Sequence, residues 1–227
     1  MALHKIERQA NVPFHHENIH KLRFTEKRTY LWLKRSMDIF GSLIGLIFLS
    51  PLFIVVAILI KLEDPKGPVF FKQVRVGKDE KEFEMYKFRS MVSNAEELLT
   101  SLLDMNEVQG AMFKMKDDPR ITRIGKFIRK TSIDELPQLW NVLKGEMSLV
   151  GPRPPLPREV AQYSSYDKQR LLVVPGCTGL WQVSGRNGLS FEQMVDLDLT
   201  YIKNRTLMMD IKIVIKTFGA LLGKDAY

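Results

Sequence analysis

At 227 residues with 45% hydrophobic content, the chain is long enough for one domain with a substantial core plus an appendage. Lys and Arg number 34 against 26 Asp and Glu, a net charge of +8, which favours an anionic partner: nucleic acid, anionic lipid or a phosphorylated small molecule. Cys177 is the only cysteine and the four histidines, His4, His15, His16 and His20, crowd the N-terminus, so an intrachain disulfide is excluded and a Cys/His zinc site is not expected.

The chain stays polar for more than thirty residues, unlike a cleavable signal peptide, so export is not expected and the soluble part reads as cytosolic. Residues 39–60 then carry no charge over twenty-two positions, roughly 33 Å as one straight helix and enough to cross a hydrocarbon core of about 30 Å. Pro51 interrupts this run. It cannot donate to the Ile47 carbonyl and its ring crowds that turn, so a kink or break is expected at Ser50-Pro51, with the Ser50 hydroxyl available to the freed carbonyl. Lys21, Arg23, Lys27, Arg28, Lys34 and Arg35 precede the run, and Lys61, Lys66, Lys72, Arg75 and Lys78 follow it. Cations at both ends favour a re-entrant helix–break–helix with both ends on the cytoplasmic face over a spanning helix, which stays open, with a buried helical hairpin of a soluble protein a distant third.

Residues 64–68 form a turn cluster. Residues 69–76 and 82–89, separated by a turn at Gly77–Glu80, read as a β-hairpin with Phe83, Met85, Tyr86 and Phe88 toward the core and Lys87 and Arg89 on one face. Lys87 and Arg89 are either solvated or phosphate contacts. Residues 94–107 read as a scaffold helix, and residues 121–130 as a short basic amphipathic helix, suited either to anionic headgroups or to ordinary packing with a solvated face. Residues 175–179 and 184–188 read as glycine-bearing turns, and 211–222 as a core or interfacial helix.

Ser132-Ile133-Asp134-Glu135 has the form of a capping box, with Pro137 in the first turn and Gly145 as the stop. Asp134 and Glu135 are thereby expected in the first turn of a helix, among the cations Arg129, Lys130 and Arg153. Free amides and the positive dipole end there attract phosphate and would hold Asp134 ionised, as a nucleophile or a metal ligand; the other reading is that the two carboxylates only favour the helix start electrostatically. Adjacent helical residues point about 100° apart, so the two carboxylates should play different roles. Pro152 and Pro154 fix the backbone on either side of Arg153, which suits a preset phosphate clamp.

Together, Lys34-Arg35-Ser-Met-Asp38, Ser50-Pro51, Gly67–Gln73, Tyr86–Met91, Asp134–Gln138, Gly151–Pro154, Pro175–Gly179 and Gly185-Arg186-Asn187 make the chain resemble the monotopic polyprenyl-phosphate phosphoglycosyl transferases, the bacterial sugar transferase family. The resemblance runs from about Lys34 to the C-terminus. It implies transfer of a sugar 1-phosphate from a UDP-sugar to polyprenyl (undecaprenyl) phosphate with release of UMP, at the start of polysaccharide or glycan assembly. Asp134 would be the nucleophile carrying a phosphosugar intermediate and a ligand of Mg²⁺, and Glu135 would assist proton transfer. Lys87, Arg129, Arg153, Arg186, Asp198 and Asp210 match the family's polar substrate-binding positions.

The fold expected is α+β, mainly helical with a small β-hairpin, a membrane-embedded re-entrant helix and interfacial amphipathic helices. The organisation expected is a polar extension (1–33), a re-entrant helix (34–62) and a catalytic domain at the cytoplasmic face of a bacterial membrane (63–227), the short catalytic-only type. Its partners would be the UDP-sugar, polyprenyl phosphate and membrane lipid, not nucleic acid, with a homo-oligomer left open. Two other readings compete: a membrane-bound, Mg²⁺-dependent nucleotide-sugar phosphohydrolase, and a basic membrane adaptor without catalysis.

Overall fold

The computed structural model describes residues 22, 27–102, 115, 117–185 and 188–222. The expected α+β, mainly helical fold is found. Helix α1 (Arg28–Phe48) and helix α2 (Ser50–Glu63) meet at Leu49 with a 58° bend. The break falls where Pro51 removes a donor: Ser50 Oγ donates to the Ile47 carbonyl at 2.7 Å, and Pro51 sits in the first turn of α2, where a missing amide costs little. No single described helix is long and apolar enough to cross a membrane, while the bent pair together meets the length and composition of a broken span or a re-entrant loop.

The pair is apolar outside; inside, α1 buries polar residues and α2 buries Val56 and Ile60. Phe40, Ile44, Ile47, Phe48, Ile54 and Leu62 are exposed, Phe48 to 84%. On α1, Lys34, Asp38 and Ser42, four residues apart and hence on one face, are buried against the rest of the protein. Asp38 accepts from Ser148 Oγ and the Leu149 amide, both at 2.9 Å, and Arg35 donates to the Val142 and Leu143 carbonyls at 2.7 and 2.8 Å. The motif Lys34-Arg35-Ser-Met-Asp38 thus fastens the bent pair to the domain.

Strands β1 (Phe70–Val76) and β2 (Glu82–Phe88) form the expected antiparallel hairpin, in register from Phe70 opposite Phe88 to Val76 opposite Glu82. Its second strand packs on both faces, while Phe70, Phe71 and Val74 of β1 stay exposed. Met85 packs with Val142 and Met147, and Phe88 with Val56, Ile60 and Ile128. Asn141, fully buried, finishes the edge of β2: it accepts from the Tyr86 amide at 3.0 Å and donates to the Glu84 carbonyl at 2.7 Å, replacing a neighbouring strand.

Beyond the hairpin come α3 (Ala95–Leu102), α4 (Arg123–Lys130), a 3₁₀ turn (Ile133–Glu135) and α5 (Gln138–Lys144). Residues 103–107 of the expected scaffold helix lie outside the described residues. Gly145 ends α5 with φ of +86°, the left-handed stop that the sequence implied. The segment read as a glycine turn at 175–179 is instead a strand: β4 (Gly176–Thr178) pairs in parallel with β3 (Ser148–Val150). Glycine permits this approach, since a Cβ on Gly176 would lie 2.0 Å from the Gly151 amide nitrogen. The short helix α6 (Pro157–Val160) follows β3, and α7 (Phe191–Asn204) and α8 (Leu207–Leu222) close the main core, where Val195, Leu199, Ile202 and Ile213 meet Val150, Val173 and Leu180.

Candidate active site

Asp134 and Glu135 do not sit in the first turn of an α-helix, and the capping box does not form. Ser132 is left-handed, with φ of +56°, whereas a capping serine is extended; its carbonyl, not its hydroxyl, takes the Glu135 amide. The pair occupies the 3₁₀ turn that reverses the chain between α4 and α5.

The hairpin brings Lys87 onto this turn, where Nζ donates to Glu135 Oε1 at 2.7 Å. Glu135 remains about 44% open to solvent at its side chain, while Asp134 is only 9% exposed. Partial burial pulls the Glu135 pKa upward, but Lys87, then Arg153 and Arg75, outweigh it and hold the carboxyl below the usual glutamate value. Asp134 behaves in the opposite way. Burial pushes its pKa up to about 6, Glu135 adds repulsion, and Lys87 and Arg129 only partly oppose them. The expected depression by a helix end is therefore corrected: the turn offers no long dipole, and desolvation dominates. The Asp134 carboxylate accepts no hydrogen bond from another residue among those described.

Arg153 is exposed on the loop after β3, and that loop is rigidly framed. The Gly151 amide donates to Thr178 O and the Gly176 amide to Pro152 O, both at 2.8 Å, and the Val76 amide donates to Pro155 O at 2.9 Å. Arg75, which the sequence reading passed over, is buried in β1 and donates to the Pro154 carbonyl at 2.9 Å and to Gln73 Oε1 at 2.6 Å. Its place between Val74 and Val76, beside the turn that closes the hairpin, was the available signal. Burial, then Arg153 nearby, lower its pKa to about 10, so it stays charged at neutral pH.

The structure thus gathers Lys87, Arg129, Asp134, Glu135 and Arg153. Arg89 faces elsewhere and pairs with Asp64 at 2.5 Å, so it is neither solvated nor beside Lys87. Asp198 is buried in an ion pair with Arg170, which also donates to Tyr163. Asp210 receives Lys34 Nζ at 3.1 Å, Tyr30 Oη at 3.0 Å and Tyr201 Oη at 2.7 Å. Arg186 lies outside the described residues. Burial pushes the Cys177 thiol well up, leaving it a poor nucleophile. A cavity of about 150 Å³ lies apart from this constellation, at the base of α1 beside Leu31, Lys34 and Arg35, whose cations are already engaged.

The site is thus a buried carboxylate that accepts from no other described residue, with Lys87 and Arg129 near it and a glutamate held ionised beside it, next to an apolar, outward-facing helix pair. Residues 29–224 match the family model described as bacterial sugar transferase, and the chain belongs to that family. It is 50% identical over 204 residues to the galactosyl transferase CpsE of Streptococcus agalactiae, covering 88% of this chain and 44% of that one. It is 48% identical over 203 residues to the undecaprenyl-phosphate galactose phosphotransferase of Salmonella typhimurium, covering 88% and 42%. Against the exopolysaccharide production protein ExoY of Sinorhizobium fredii the identity is 42% over 199 residues, covering 86% and 88%. The chain spans less than half the length of the first two.

Proposed function

We propose that the chain transfers a hexose 1-phosphate from a UDP-sugar to undecaprenyl phosphate at the cytoplasmic face of a bacterial membrane, releasing UMP and beginning polysaccharide assembly. The Asp134 carboxylate carries this reading: buried beside the Lys87–Glu135 pair and accepting from no other described residue, it lacks the contacts that would commit it to a structural role. The names of the relatives and the outward apolar face of the bent helices support it.

Asp134 attacks the β-phosphorus of the donor; the new P–O bond forms as the bond to the UMP oxygen breaks, leaving a phosphosugar on the carboxylate. The acceptor phosphate then displaces Asp134 from that phosphorus, giving a polyprenyl diphosphate sugar. Glu135, kept ionised by Lys87, accepts the acceptor's proton. Arg129 and Arg153 bind phosphate oxygens. Mg²⁺ fits the donor set, because this cation is commonly held by one or two carboxylates plus substrate phosphates; Asp134 would hold it, and it would neutralise the diphosphate.

UMP release from UDP-galactose, the donor implied by the relatives' names, should turn over only when undecaprenyl phosphate is added, with at most one equivalent released without it. Steady hydrolysis unaffected by the lipid would instead establish the phosphohydrolase. The pH profile offers a second check. With Asp134 needed ionised and its pKa at about 6, kcat/KM at low Mg²⁺ should fall as pH drops through about 6, and raising Mg²⁺ should move that limb to lower pH, since metal and proton compete for one carboxylate. A limb near pH 4 at low Mg²⁺ would contradict the burial described above.

A further inference from the structure

Two of the cations flanking the carboxylate pair ride on separate elements, Arg129 on α4 and Lys87 on β2, and both elements are gripped by consecutive residues at the end of the bent helix pair. Glu63, the last residue of α2, accepts the Arg123 amide at Oε1 (2.7 Å) and the Ile124 amide at Oε2 (3.0 Å). With Thr122 Oγ1 taking the Gly125 amide at 2.8 Å, the start of α4 is fully satisfied, and a negative charge stands at its positive end. Arg129 lies six residues farther along the same short helix, about 9 Å away at 1.5 Å per residue. Ile124 and Ile128 also pack on Val56 and Ile60 of α2, so α4 follows α2 as a body.

Asp64 holds the other arm. Its Oδ2 accepts from Arg89 Nη1 at 2.5 Å and from the Ser93 amide at 3.2 Å, and its carbonyl accepts from Arg89 Nη2 at 2.7 Å. Arg89 is two residues beyond Lys87, and its guanidinium lies against Gly67, where a Cβ would fall 1.7 Å from Nη1. The arms are themselves joined, the Thr122 amide donating to Ser90 O at 3.1 Å and the Val92 amide to Arg120 O at 2.9 Å.

We propose that Glu63 and Asp64 are positioning residues that transmit the seat of the bent helices to the site, Glu63 setting Arg129 and Asp64 setting Lys87. For the reaction this rests on the transferase reading above. Its consequence is that each half of the site is tied to the end of the bent helices by its own carboxylate, over a floor that the two arms share. A displacement of about 1 Å in a positioning group can lower turnover by about a hundredfold.

In the full chain reconstituted in nanodiscs, Glu63→Gln and Asp64→Asn should each lower kcat about 5- to 50-fold while leaving the KM for UDP-galactose within about twofold. The loss from Glu63→Gln should shrink when combined with Arg129→Lys and persist unchanged with Lys87→Arg; Asp64→Asn should show the reverse pattern. Hydrogen exchange should quicken across α4 in Glu63→Gln and across the end of β2 in Asp64→Asn, a readout that needs no activity. Equal losses in every background, or exchange rising equally in both arms, overturns the proposal. If the parent chain transfers no sugar phosphate at all while the exchange pattern is as described, the transferase reading fails and the mechanical coupling stands.

Discussion

On the proposed transferase function, Asp134→Asn should abolish transfer, lowering turnover by about 10³-fold or more, and at the same time make the protein more stable. The two effects have one cause. Burial raises the Asp134 pKa from 3.8 to about 6, so between those values the folded protein holds a proton that the unfolded chain has released. Stability conferred by the protonated form is therefore lost as pH rises from about 4 to 6, and above 6 the ionised carboxylate costs about 2 to 3 kcal/mol. Asparagine has the same shape and no charge to desolvate. At pH 7.5 the variant should melt several degrees above the parent, and at pH 4 the two should coincide. Thermal melts at both pH values, with intact-protein mass spectrometry after donor addition, check the pair of effects. A phosphosugar adduct persisting in Asp134→Asn would remove Asp134 from the nucleophile's role.

Asp210→Ala should be among the most destabilising single changes on the domain side of α1. Its carboxylate, with no measurable exposure, neutralises buried Lys34 and accepts from Tyr30 and Tyr201, joining α1, α7 and α8. Removing one member of a buried ion pair strands the other charge, at a cost of about 3 to 5 kcal/mol, or a fall of roughly 10 °C in melting temperature. Resemblance to the family implied a substrate contact at this position. The outcomes separate cleanly: a large loss of thermal stability supports the fastening role, whereas an unchanged melting temperature with a raised KM for donor returns Asp210 to the substrate.

Some features were legible because they follow from near neighbours in the chain. Pro51 lacks a donor whatever surrounds it, so the break, and the Ser50 hydroxyl that satisfies the freed carbonyl, could be read from two adjacent residues. The hairpin and the left-handed stop at Gly145 are equally local. The capping box failed for the complementary reason. Ser132-x-x-Glu135 has the right letters, but the chain must reverse between α4 and α5, and Ser132 is left-handed to make that reversal.

Contacts across long separations in the chain were hidden. Nothing near Gly176 announces that it must lie against Gly151 in a parallel strand pair, and nothing near Arg75 shows that it holds the loop bearing Arg153. Lys87 and Arg89, two residues apart, were grouped together, yet one pairs with Glu135 and the other with Asp64. Through its motifs the sequence alone determined the family, the candidate carboxylate pair and the broken apolar segment, because these rest on residue type and short spacing. Only the tertiary structure decided which cations face that pair, which aspartates are committed to buried ion pairs, and how strongly Asp134 holds its proton. Each of those depends on desolvation and on charges brought together from distant parts of the chain.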